Sequence, residues 1–167
     1  MVGRPHRDRG RGHALSQLSA KRRRALLVAA SASYTVGLWW MTLRPEPYGP
    51  ETGGLVRGLL DLLSGWPLTA WVTFDLVEFS ANVAMFLPLG LLVVAWGGRP
   101  WHGILAGLAL SATIETAQLL FLPTRVADLR DVVANTLGAT LGVMAAVLIA
   151  RTGRLHSERI ASAIESS

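Results

Sequence analysis

Cysteine is absent from the 167-residue chain. No disulfide framework, thiolate metal site or cysteine nucleophile can therefore form. Charge is also scarce: 16% of residues are charged, against about 25% in an average soluble domain. Hydrophobic residues make up 51% of the chain, and several long runs carry no charge at all. Segregation of this kind argues for a membrane protein. Lys21 is the only lysine, a bias towards arginine that reads as genome composition rather than function. His6, His13 and His156 lie in the tails and His102 near the start of an apolar run. None of them belongs to the main polar group, so neither a Ser–His–Asp triad nor a histidine zinc site is supported.

What is present falls into segments. Residues 1–24 hold Arg4, Arg7, Arg9, Arg11, Lys21, Arg22, Arg23 and Arg24 without apolar periodicity, the composition of a disordered basic tail. The net charge of +5 does not point to nucleic acid, because nothing aromatic is interleaved to stack bases. A basic flank before an apolar run instead fits the cytoplasmic face of a membrane and its anionic headgroups. Residues 25–43 are uncharged and long enough to cross a bilayer, and they end at Trp39-Trp40, a pair suited to an interface. The apolar run is too long for a cleaved signal, so a retained helix is expected. Further helices are expected over about 74–96, 101–122 and 132–150, followed by a tail over 151–167. In the connection after the first helix, Leu55, Leu59 and Leu62 share one helical face, with Arg57 and Asp61 on another. That pattern predicts a short helix lying at the interface.

The expected fold is all-α: an integral membrane four-helix bundle over residues 25–150. Arg99, Arg151, Arg154 and Arg159 share a side with the basic tail. Glu46, Glu51, Asp61, Asp75, Glu78, Glu115, Asp128 and Asp131 gather on the other. The positive-inside rule then places both termini in the cytoplasm. With that orientation, three polar groups distant in sequence reach the same depth near the outer face. They are Asp75, Glu78 and Asn82 on the second helix, Glu115 and Gln118 on the third, and Asp131 and Asn135 on the fourth. Ionisable groups at the edge of hydrocarbon are costly and mark function by default.

The chemistry of this group leaves several readings open. Clustered carboxylates perturb one another's protonation, as acid–base catalysis requires, with Glu115 and Asp131 the candidate acid or base. They are also oxygen ligands for a divalent cation, although no cofactor is expected. Arg125 and Arg130 suit a phosphate or sugar-bearing headgroup. The same residues also serve as latches between helices. Gly103 and Gly107, and Gly138 and Gly142, are spaced for close helix packing within the bundle, with homo-oligomer contact the alternative.

Two blocks resemble the VanZ-like family of bacterial membrane proteins. The first is Asp75–Gly90, in which Asn82 precedes Phe86-Leu87-Pro88-Leu89-Gly90. The second is Ser111–Gly142, with Glu115, Gln118, Arg125, Asp128, Asp131, Asn135, Gly138 and Gly142. The family is named for a protein associated with teicoplanin resistance. The resemblance implies a multi-pass protein of the bacterial cytoplasmic membrane and does not supply a reaction. Asp75 and Glu78 make a more polar entry to the second helix than the family pattern, and neither is assigned a family role.

The combined expectation is an outward-facing pocket of Asn82, Glu115, Gln118, Arg125, Asp128, Asp131 and Asn135. It would bind an amphiphilic envelope ligand: a membrane lipid headgroup, a lipid-linked cell-wall precursor or a lipoglycopeptide. The alternatives are a membrane-embedded hydrolase or transferase acting on a lipid, and a structural or partner-binding subunit.

Overall fold

The computed structural model describes residues 8–42, 60–63, 71–122 and 128–165, together with Gly54, Gly58, Gly65, Trp66 and Thr69. Four long helices follow in chain order: α1 (Asp8–Thr42), α2 (Phe74–Ala95), α3 (Pro100–Phe121) and α4 (Leu129–Glu165). No strand occurs among the described residues. Each helix contains a stretch long and apolar enough to cross a membrane: Gln17–Thr42, Phe74–Ala95, Pro100–Phe121 and Leu129–Arg154. Leu105, Leu119, Phe121, Val133, Leu137, Leu148 and Ile149 point outward and exposed. In water such a surface would aggregate, whereas in lipid it is the ordinary solvent-facing side. This is a four-helix membrane protein.

Two ends differ from the expected boundaries. The basic segment expected to be disordered is helical from Asp8 onward, so α1 begins well before residue 25. Once the apolar stretch nucleates a helix, adding arginine, alanine and leucine residues at its end costs little. By the same reasoning α4 continues past residue 150 to Glu165. Of the interfacial helix expected over 54–63, Gly54, Gly58 and residues 60–63 are helical, while Leu55, Arg57 and Leu59 lie outside the described residues.

Local chemistry sets the turns. Thr73 caps α2 by accepting the Leu76 amide at 3.3 Å. At the other end Gly97 takes φ +89, a left-handed conformation that glycine adopts without a Cβ penalty. The Gly98 amide bonds the Val93 carbonyl and the Gly97 amide that of Val94, the paired bonds of a Schellman ending. Pro100 then starts α3 at a position where its missing N–H costs nothing.

The packing order is not the sequence order. α2 and α4 run parallel and make the most extensive interface, α3 packs against α4, and α1 leans on α2. Glycine explains the first contact. A Cβ at Gly138 would overlap the Val83 carbonyl, one at Gly142 the Leu87 carbonyl, and one at Gly90 the Ala139 carbonyl. Each obstacle is backbone, which cannot rotate away. On the other side Gly107 lies against the Ala139 methyl and Gly103 against Val143. Gly103, Gly107, Gly138 and Gly142 are all buried against neighbouring helices, which leaves none of the four exposed for contact with a second copy.

α1 is tied by polar contacts along its middle and at its C-terminal end. The Arg23 guanidinium donates to the Ala95 carbonyl at 2.7 Å, placing a cation on the negative end of α2. Trp96 donates its indole N–H to Ser31 Oγ at 3.0 Å. At the far end Gln118 Nε2 donates to the Thr42 carbonyl at 2.8 Å.

Gly138→Ala and Gly142→Ala should each destabilise the detergent-solubilised protein by about 1–3 kcal/mol, the usual cost of overpacking. Gly37→Ala, where a Cβ meets nothing within 4 Å, should leave the melting temperature unchanged or slightly raised. Thermal unfolding of the three variants checks the assignment of the α2–α4 contact.

Candidate functional site

The polar residues of α2, α3 and α4 meet at the end of the bundle where α2 and α4 begin. Hydrogen bonds between elements hold them. Asn82 Nδ2 donates to Asp131 Oδ1 at 2.7 Å, joining α2 to α4. Asn135 Nδ2 donates to Ser111 Oγ at 2.9 Å, joining α4 to α3. Glu115 Oε2 accepts the Asp128 amide at 3.0 Å, and Gln118 reaches the end of α1 as described. Glu115, Gln118 and Asn135 are 9%, 6% and 3% exposed, so their polar groups have left bulk solvent and depend on these partners. The threonines behave differently. Thr113, Thr116, Thr136 and Thr140 each donate to the carbonyl four residues earlier in their own helix, which satisfies the hydroxyl and joins nothing.

The group lines a cavity of about 90 Å³. Glu78, Asn82, Glu115, Gln118, Asp131 and Asn135 supply its polar wall, and Met41, Met85 and Ile114 its apolar one. Among the described residues no lysine or arginine lines it. Asn135 Oδ1 is buried and has no hydrogen-bond partner among the described residues. An orphaned carbonyl oxygen at such a site is expensive and calls for a donor. Among the described residues no group of three or more His, Asp and Glu side chains is placed to hold a metal ion.

Two expected wall residues stand elsewhere. Asp128 is exposed at the start of α4, where its Oδ1 accepts the Arg130 amide at 2.8 Å. It therefore caps the helix and offers its backbone N–H to Glu115, rather than lining the main cavity. It borders a narrow cleft of about 10 Å³ with Asp75, Glu78, Arg130 and Asp131, room for about one water. Arg130 pairs there with Asp75 at 3.2 Å, with both side chains more than 60% exposed, so the pair adds little stability. Arg125 lies outside the described residues.

An apolar groove of about 640 Å³ lies about one helical turn from the polar cavity, between α1, α2 and α3. Leu38, Leu89 and Leu110 on its wall each lie four residues from Thr42, Met85 and Ile114 on the cavity wall, an axial step of about 6 Å. Leu38 of the groove and Ile114 of the cavity belong, with Phe86, to one buried hydrophobic cluster.

Sequence reasoning overlooked Ser111 and Thr42. Ser111 carried a signal, since it shares a face with Glu115 and Gln118 at helical spacing. Thr42 contributes a backbone carbonyl, for which side-chain identity gives no clue.

Comparison with known proteins agrees with the resemblance carried by the two sequence blocks. No curated protein and no solved structure matches the chain. The family model described as VanZ/LLP1 matches residues 31–150, a stretch that contains all three polar groups and both glycine pairs. The chain belongs to the VanZ/LLP1 family.

Proposed function

We propose that this membrane protein binds a single amphiphilic molecule of the cell envelope, with its polar end in the cavity beside Asn135 and its chain in the groove beside Leu38. The observation that carries this reading is a polar cavity about one helical turn from an apolar groove, with α1, α2 and α3 contributing to both walls. The groove volume falls within the roughly 300–1,000 Å³ of ordinary small-molecule pockets. The polar cavity is far smaller and admits a headgroup terminus or a few waters. A bulky glycopeptide or a whole lipid-linked precursor would therefore enter only by its end. The charge asymmetry of the chain supports a cavity that faces the outside of the cytoplasmic membrane, with both termini in the cytoplasm. A contribution to teicoplanin resistance would then be indirect, through the lipids the protein holds or presents.

A second reading has its own observation. The interhelical bonds of Asn82, Glu115, Gln118 and Asn135 are latches of the kind that hold membrane helices together. A protein built only of latches would lose abundance, and no specific binding, when they are cut. A lipid-directed enzyme using Glu115 or Asp131 would turn over a labelled lipid, which binding alone does not.

Native mass spectrometry of protein purified in mild detergent separates these readings. Wild type should retain one amphiphile per chain, and Leu38→Trp, which fills the groove, should lose it while remaining folded. Equal retention by both proteins would overturn the assignment of the groove. Expression of wild type should raise the teicoplanin concentration that stops growth of a deletion strain. Asp131→Asn at equal membrane abundance should not, and identical growth of the two strains would remove the resistance role.

A further inference from the structure

We infer that the polar cavity selects a primary ammonium group as the terminus of its amphiphile; this deepens the proposed binding function and rests on it. The first ground is the orphaned Asn135 Oδ1, an acceptor on a side chain only 3% exposed that lines the cavity. The amide's other arm is committed to Ser111, which leaves the oxygen of this cavity-lining residue wanting a donor. The second ground is how the donors of the wall are used. Asn82 and Gln118 spend amide N–H groups on Asp131 and on the Thr42 carbonyl.

Three carboxylates, Glu78, Glu115 and Asp131, share that wall, and no described lysine or arginine lines it. A carboxylate accepts several hydrogen bonds through its two oxygens, so its existing partners leave capacity for another donor. A phosphate brought here would meet carboxylates. A trimethylammonium carries the right charge without an N–H to give. A primary ammonium brings three donors and a positive charge in a volume that suits a cavity of about 90 Å³.

Three lysophospholipids with one common acyl chain test this: lysophosphatidylethanolamine, lysophosphatidylcholine and lysophosphatidylglycerol. Each is titrated into the purified full chain in maltoside micelles, where the chain contribution cancels. The ethanolamine lipid should bind about tenfold or more tightly than either of the others, as charge-assisted hydrogen bonds imply. Asn135→Leu should reduce that ratio towards one, and Asn135→Asp should keep or raise it. If Asn135→Leu fails to accumulate, Glu115→Gln serves in its place, with a lowered ratio expected. Equal binding of all three lipids to wild type overturns the ammonium assignment while leaving amphiphile binding intact. A preference that neither Asn135→Leu nor Glu115→Gln alters overturns it too. Binding of none of the three removes the amphiphile reading itself.

Discussion

Direct contact between the backbones of α2 and α4 is the constraint on which the other features depend. In lipid no hydrophobic effect drives two helices together, so close packing must supply the attraction. Gly90, Gly138 and Gly142 provide it by bringing Cα groups against carbonyl oxygens of the facing helix, the geometry of weak Cα–H···O contacts. The register follows from these glycines. With Val83 against Gly138, the neighbouring Asn82 comes within hydrogen-bond reach of Asp131, two turns nearer the start of α4. Ala139, fully buried between Gly90 and Gly107, then fixes α3 on the other side, and α3 carries Ser111, Glu115 and Gln118 into the same group.

The polar end is therefore both a clasp and a cavity. Each interhelical bond costs the desolvation of two groups and recovers it only while the partners stay aligned. One group, Asn135 Oδ1, recovers nothing within the described residues. A set of latches refined for stability alone has no reason to leave an acceptor orphaned beside three carboxylates. The loosely packed α1 matters in the same way. It touches α2 over a limited stretch and is secured through Arg23, Ser31 and the Thr42 carbonyl, so the apolar groove runs along the side of the bundle with the least packing to lose.

Much of this was legible in the sequence because bilayer thickness and charge placement act on single segments. The four crossings could be read from apolar length, and Glu115, Gln118, Asp131 and Asn135 from helical spacing. The partners of the glycines were not legible. A small-residue spacing announces close approach without naming the facing helix, and α2 packs against α4 rather than against its sequence neighbours alone. Asp128 was placed on the cavity wall because its carboxylate resembles the others, although its position just before an apolar helix is that of a cap. The acceptor role of Thr42 belongs to the backbone and leaves no mark on residue type. Helix in the basic segment from Asp8 was missed because composition was weighed without the helix that precedes the membrane crossing.

The natural absence of cysteine allows the central claim, a polar cavity open to the outer side, to be tested directly with single-cysteine variants. Ala81, exposed beside Asn82 on the cavity wall, is the reporter, and Ser162 in the extension of α4 is the reference. A membrane-impermeant maleimide applied to intact cells should label Ala81→Cys, and it should label Ser162→Cys only after the membrane is opened. Labelling of Ser162→Cys alone in intact cells would invert the protein in the membrane and contradict the account.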